Sequence, residues 1–316
     1  MQLRTLGHTG IKVSPLMLGG NVFGWTADEA TSFAIMDAFF AAGGNFIDTA
    51  DVYSAWAPGH TGGESEIVIG KWFKRSGKRA QVVLATKVGF PLAPDKKGLS
   101  AAYIERAAED SLRRLQTDYI DVYFSHTDDA SVVLDETLRA YQRLIEQGKV
   151  RAIGASNYTV ERLIEAAATS KEHKLPIYQV LQPQYNLCER SDYETKLEPI
   201  CQEYGLGVVT YYALASGFLS GKYRSDADLT KSPRGRGAKK YLNDRGFGIL
   251  AALDAIANAR AATPAQVALA WVMARKTVTA PIASATSLAQ VNELCGAMSL
   301  LLSTADIEQL NKASAT

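Results

Sequence analysis

A closed barrel of eight parallel strands, each followed by a helix, is the fold class that this 316-residue sequence predicts. In full, the expectation is an α/β chain folded as a (β/α)8 TIM barrel, with an N-terminal β-hairpin closing the barrel bottom. Three observations carry it. Eight short apolar runs alternate with helical segments, the pattern of a parallel sheet with crossover helices. A doubly wound open sheet would normally carry Gly-x-Gly-x-x-Gly after an early strand, and the Gly19-Gly20 pair does not extend to it. The length exceeds an ordinary single domain but suits one large barrel, so residues 1–316 are read as one domain.

The elements follow in order. Leu3 to Leu6, a His8-Thr9-Gly10 turn and Ile11 to Ser14 read as the hairpin. Pro15 interrupts it, and Leu16 to Gly20 is a first buried strand. Thr26-Ala27-Asp28-Glu29 reads as a capping box opening a helix that Gly43-Gly44 closes. Strand two ends at Asp48, strand three runs from Val82 to Lys87, and strand four from Ile120 to His126, with helices near Ile67–Phe73 and from Ser100 between them. A helix near 132–147, strand Ala152 to Asn157, a helix from Thr159 and strand Ile177 to Tyr185 come next. A helix near 192–204 leads to strand Gly207 to Tyr212. Thr263-Pro264-Ala265-Gln266 caps a later helix with proline at its first position. Ala280 to Ala283 is the last strand, Ser287 to Gln290 a further capping box, and a helix near 304–312 the last element. Residues 215–246 predict a long structureless connection rich in Gly, Ser, Lys and Arg. It reads either as a solvated insertion or as a flap whose basic groups and free amides suit a diphosphate.

Bulk properties narrow the function. Hydrophobic residues make up 47% and charged residues 21%, and the net charge of +1 gives no sign of nucleic-acid or anionic-membrane binding. Cys188, Cys201 and Cys295 are scattered, which fits a reducing compartment better than a disulfide framework. Met1 to Leu6 lacks an apolar signal core, and no apolar run has membrane-spanning length, so a cytoplasmic protein is expected. No metal is expected.

Asp48, Lys87 and His126 close three of the predicted strands, and Tyr53 follows Asp48 by one short turn. Singly each has a mundane reading: a turn cap, a strand-end lysine, a loop phenol, a structural histidine. In a parallel barrel, however, all converge at the carboxyl-end mouth, where such barrels do their chemistry. A free tyrosine has a pKa of about 10, and a neighbouring ammonium lowers it by stabilising phenolate. An aspartate would keep the lysine charged, and a histidine could polarise a carbonyl oxygen. Such a site could protonate an oxygen while hydride reaches the adjacent carbon, with the hydride coming from a cofactor.

The chain resembles the aldo-keto reductase family over nearly its whole length. The matching segments are Leu6 to Ser14, Asn45 to Tyr53, Gly63 to Glu66, Ala85-Thr86-Lys87, Gly148 to Arg151 with Ile153 to Asn157, Gln182 to Asn186, and Tyr211 with Leu214 to Tyr223. The resemblance implies a catalytic tetrad of Asp48, Tyr53, Lys87 and His126, with Tyr53 as the acid/base. It implies that Ser156, Asn157 and Gln182 bond the nicotinamide carboxamide and Tyr211 stacks on its ring. It also implies a diphosphate path along Leu214, Ser216, Gly217, Leu219 and Lys222, and an adenosine end at Ser284, Thr286, Gln290 and Glu293. Tyr212 stands where many relatives have serine. Ser284-Ala285-Thr286 lacks the basic residue that often follows the last strand, so NADP(H), with NAD the alternative, rests on the family.

Phe23, Trp25, Trp56 and Phe90 fall in loops at the expected mouth and read either as an aromatic substrate pocket or as rim packing. The chain ends soon after its last helix, which implies an open site suited to bulky ketones. The expected protein is thus an NADP(H)-dependent reductase of aldehydes or ketones acting on a small-molecule carbonyl, with a monomer favoured. A redox-sensing subunit like the channel-associated β subunits is the second reading. A Schiff-base lyase using Lys87 is a third, against which Asp48 argues by keeping the lysine charged.

Overall fold

A computed structural model describes residues 2–315. Strands β1 (Arg4–Thr5) and β2 (Lys12–Val13) pair antiparallel, and the Thr9 hydroxyl closes their turn by donating to the Leu6 carbonyl while accepting from the Ile11 N–H. Leu6, Ile11 and Val13 are buried with the lowest inward side chains of the barrel, including Met17, Phe46, Val83 and Val122. The hairpin therefore plugs the amino end of the barrel with apolar surface.

Eight strands close the barrel: β3 (Met17–Gly19), β4 (Phe46–Asp48), β5 (Val83–Val88), β6 (Ile120–Ser125), β7 (Val150–Ser156), β8 (Val180–Gln182), β9 (Gly207–Thr210) and β10 (Ala280–Ala283). All pairs are parallel, and β10 hydrogen-bonds to both β9 and β3. Inward positions carry Phe46, Ala85, Phe124 and Val180, while the alternating outward positions carry Ile47, Leu84, Tyr123 and Leu181 against the helices. That two-residue period is what a strand buried on both faces requires.

The helices around the barrel are α1 (Glu29–Ala41), α2 (Glu64–Ser76), α3 (Ala101–Leu115), α4 (Leu134–Glu146), α5 (Val160–His173), α6 (Glu198–Glu203), the single turn α7 (Gly235–Ala238), α8 (Asp244–Arg260), α9 (Pro264–Met273), α10 (Leu288–Gly296) and α11 (Thr304–Ala313). At Gly70 on α2 an added methyl group would overlap the Arg114 carbonyl oxygen of α3, so glycine sets how closely these helices pack. Among the described residues no helix is long and apolar enough to cross a membrane.

The structure corrects several expected boundaries. The cap of α1 is Asp28, whose carboxylate accepts from the Thr31 N–H at 2.8 Å, rather than Thr26. The Ala27 N–H bonds the Val22 carbonyl and folds Thr26 into the preceding loop, so the helix starts later. Ser287 caps α10, but Gln290 does not complete a capping box, because its side-chain oxygen accepts from the Thr286 N–H and hydroxyl instead. The strand expected over Ile177 to Tyr185 reduces to Val180–Gln182, and β9 ends before Tyr212, whose φ of 53° is left-handed. The 215–246 segment is not structureless. It winds through 3-10 turns at Ala215–Ser220, Asp226–Lys231 and Lys239–Tyr241, with α7 between the last two.

Candidate active site

The site lies at the carboxyl ends of the strands and extends the inward period by one residue. Asp48 follows inward Phe46, Lys87 follows Ala85, His126 follows Phe124, Gln182 follows Val180, Tyr211 follows Val209, and Ser284 follows Ile282. Each strand therefore carries its polar group where the apolar interior ends. Gly154 is the inward residue before Ser156, and a side chain there would overlap the Phe124 ring.

Lys87 is fully buried, with three oxygen partners around its ammonium. Its Nζ lies 2.7 Å from Asp48 Oδ1, 2.7 Å from the Thr49 carbonyl oxygen and 2.8 Å from the Tyr53 hydroxyl. The Tyr53 hydroxyl in turn donates to Asp48 Oδ2 at 2.9 Å. Gln182 Nε2 adds a bond to Asp48 Oδ1 at 3.0 Å. Acid, amine and phenol therefore form one closed triangle. Burial lowers the Lys87 ammonium from its ordinary value, with Asp48 opposing the fall. Tyr53 departs from the sequence expectation. Burial first, and then the Asp48 carboxylate, hold its phenol well above the usual value. The desolvation of the phenolate outweighs the neighbouring ammonium, so Tyr53 carries its proton.

His126 is buried against the edge of Phe90, with ring centroids 4.3 Å apart, and its centroid lies 6.0 Å from that of Tyr53. Burial, aided by the Lys87 charge, pushes the imidazole well below its usual pKa, so the ring is neutral. Its Nδ1 is out of solvent with no hydrogen-bond partner among the described residues. That leaves Nε2 as the ring atom able to serve the cleft.

Above the triangle opens a cleft of about 1170 Å³, lined by Asp48, Tyr53, His126, Ser156, Asn157, Gln182, Tyr211, Leu214, Ser216, Gly217, Lys222, Ser284, Thr286, Gln290 and Glu293. The volume exceeds the roughly 300–1,000 Å³ of ordinary small-molecule sites. Leu219 is fully buried beneath the loop and does not reach the cleft. Polar groups on the barrel rim already bond one another. Ser156 donates to the Gln182 carbonyl, Asn157 donates to the His126 carbonyl, and Tyr211 donates to Asn157.

The four expected mouth aromatics separate. Trp56, half exposed, and Phe90 line the cleft. Trp25 stands off it and meets Trp56 edge-on at 5.6 Å. Phe23 is fully buried among Leu18, Ile47 and Ile69, so its position is rim packing rather than pocket wall.

The sequence profile of the Aldo/keto reductase family matches residues 15–315. The chain belongs to the aldo/keto reductase family. It is 36% identical to the uncharacterized oxidoreductase YrpG of Bacillus subtilis (strain 168), over 98% of this chain and 95% of that protein. It is 33% identical to a probable voltage-gated potassium channel subunit beta of Arabidopsis thaliana, over 93% of this chain and 90% of that protein. A third relative, norsolorinic acid reductase B of Dothistroma septosporum (strain NZE10 / CBS 128990), is 31% identical over 99% and 81% respectively.

Two lining groups of this aldo/keto reductase escape a reading residue by residue. Asn21 bonds the Ser284 hydroxyl at the cleft edge. It continues the inward period of Met17 and Gly19, a signal that could have found it. Arg234 gives no such signal, because it sits in a run of basic residues. In the folded chain its Nη2 is out of solvent with no hydrogen-bond partner among the described residues. Burial lowers its pKa, and Tyr212 and Tyr53 partly restore it. Nearby, Tyr212, Ala215, Ser216 and Gly217 all have positive φ between 49° and 89°. The cleft therefore pairs a strongly curved backbone with an unmatched guanidinium, a combination that suits an extended anionic ligand.

Proposed function

We propose that this protein reduces aldehydes or ketones to alcohols, reversibly, as an NADP(H)-dependent aldo/keto reductase with Tyr53 as proton donor. The observation that carries this reading is the Tyr53 hydroxyl on the cleft floor, held between Lys87 Nζ and the Asp48 carboxylate. When bound, the nicotinamide supplies the hydride.

The residues divide the remaining work. Ser156, Asn157, Gln182 and Tyr211 would hold the carboxamide end. Leu214, Ser216, Gly217, Lys222 and Arg234, which line the same cleft, would hold the diphosphate, and Ser284, Thr286, Gln290 and Glu293 the adenosine end. Neutral His126 donates to the substrate carbonyl oxygen and positions it beside Tyr53. The Tyr53 proton, now shared with Asp48, turns to that oxygen as charge develops there. Lys87, 2.8 Å away, stabilises the phenolate left behind. Asp48 keeps Lys87 charged throughout, which disfavours a Schiff base at this lysine. Trp56 and Phe90 offer flat apolar walls suited to bulky or aromatic carbonyl compounds. A soluble cytoplasmic monomer acting on a small molecule completes the reading.

Steady-state assays with NADPH and NADH against aldehydes, sugars and bulky ketones test it. Turnover that Tyr53→Phe abolishes, with cofactor binding retained, supports it; turnover that survives the substitution overturns it. The likeness to a probable channel β subunit favours one second reading, a cofactor-binding sensor. Tight NADPH binding with negligible turnover on every carbonyl, together with capture of a channel subunit, would select that reading instead.

A further inference from the structure

Between Asp48 and Tyr53 the chain carries another acid, Asp51, that the triangle does not use. Its side chain is 2% exposed, and both carboxylate oxygens are out of solvent without a hydrogen-bond partner among the described residues. The Asp51 backbone N–H bonds the Lys87 carbonyl at 3.3 Å, which ties the turn holding this acid to the strand holding the lysine. An orphaned carboxyl at the back of a proton-transfer site calls for a physical account.

Its surroundings explain why it has no partner. Glu66 of α2, Arg114 and Tyr103 of α3, Lys87 of β5, Tyr123 of β6 and, more weakly, Tyr141 of α4 are its titratable and charged neighbours. Arg114 is engaged elsewhere, since its Nε donates to Glu66 Oε2 at 2.6 Å while Glu66 Oε1 accepts from the Thr86 hydroxyl at 2.5 Å. Lys87 is engaged by the Asp48 carboxylate, the Thr49 carbonyl and the Tyr53 hydroxyl. The Tyr123 hydroxyl is likewise buried and without a hydrogen-bond partner among the described residues. Asp51 thus faces a second acidic side chain and two cations committed to other groups. Burial first, and then Glu66, push its carboxyl up to about 8, against the pull of Arg114, of the adjacent Val52 backbone N–H, which approaches without forming a well-aligned bond, and of Lys87.

We propose that Asp51 is a positioning residue that acts through Lys87: as a neutral acid it leaves the Asp48–Lys87–Tyr53 triangle at its working charge, and as a carboxylate it loads that triangle with a further negative charge. The added charge strengthens the hold of Lys87 on its proton and lifts the Tyr53 phenol further. A phenol of higher pKa donates less readily and forms phenolate less readily, so turnover falls in both directions. The proposal rests on Tyr53 being the acid/base.

Asp51→Asn keeps the shape of the neutral acid and cannot ionise. Wild-type kcat is expected to fall about tenfold between pH 8 and pH 9.5 as Asp51 ionises, and the variant to lose this limb or shift it upward. Melting temperature supplies a second reading. A carboxyl whose folded pKa exceeds its unfolded value of about 3.9 gives up stability as pH rises through that interval. The melting-temperature gap between variant and wild type should therefore widen from about pH 4 to about pH 8 and stay constant above. Should the asparagine variant not fold, Asp51→Ser, smaller and also unable to ionise, is put through the same two measurements. Superimposable kinetic limbs overturn the proposal, with or without a change in the melting gap. If Tyr53→Phe retains turnover, the acid/base assignment fails instead; if Tyr53→Phe is inactive and Asp51→Asn follows wild type, only the role of Asp51 fails.

Discussion

Gln182 Nε2 donates to Asp48 Oδ1 across 3.0 Å, joining two strands through the barrel interior from positions 134 residues apart in the chain. With Lys87 and Tyr53, this gives the Asp48 carboxylate three donors. A buried ion remains acceptable only when its hydrogen-bonding capacity is filled in this way.

Removing that donor should therefore destabilise the fold as well as the site. Gln182→Ala is expected to cost about 1.5–3 kcal/mol, the range for a hydrogen bond to a charged group. Chemical denaturation followed by circular dichroism checks the value.

His126 should leave a signature in acid. Its folded pKa lies well below the ordinary value, so the unfolded chain binds more protons once pH drops under about 6.5. The stability it contributes is complete above that pH and declines as pH falls toward the folded pKa. Wild type should lose up to about 1.4 kcal/mol per pH unit relative to His126→Gln in this window. Paired melting curves from pH 7 down to pH 5 measure the difference, and parallel curves would contradict it.

Arg234 should separate stability from binding. Replacing it with methionine removes a charge whose Nη2 has no partner among the described residues, so the free protein should melt at the same temperature or higher. NADPH affinity should nevertheless fall by about tenfold to a hundredfold, the loss of one or two charge-assisted bonds, and depend less on salt. Fluorescence titration of the cofactor tests both.

Gly70→Ala should destabilise without touching the cleft. The new methyl group would meet the Arg114 carbonyl, which is backbone and cannot swing aside. Overpacking of this kind costs typically about 1–3 kcal/mol. Thermal melting should show it, while cofactor affinity stays at the wild-type value.

Much of this was legible in the chain because barrel strands are short and obey a period of two. Asp48, Lys87 and His126 stand out as polar ends of apolar runs, and the same period carries on to Asn21 beyond its strand. Burial inside loops was harder. Phe23 and Phe90 look alike as loop aromatics, yet Phe23 packs into the helix layer while Phe90 faces the cleft, because turns outside the strands obey no fixed period. Arg234 was hidden for a related reason: only the helical turns around α7 distinguish it from the exposed basic residues beside it. The direction of the Tyr53 shift was not legible from its lysine neighbour, since desolvation depends on depth and the sequence names only the neighbours.

The hairpin plug has a consequence for traffic. With Leu6, Ile11 and Val13 stoppering the amino end, whatever occupies the bottom of the cleft must enter and leave past whatever sits nearer the rim. Two ligands held one above the other there would share a single passage to the rim. A few apolar residues at the opposite pole, together with the packed barrel interior, thereby confine traffic to one mouth.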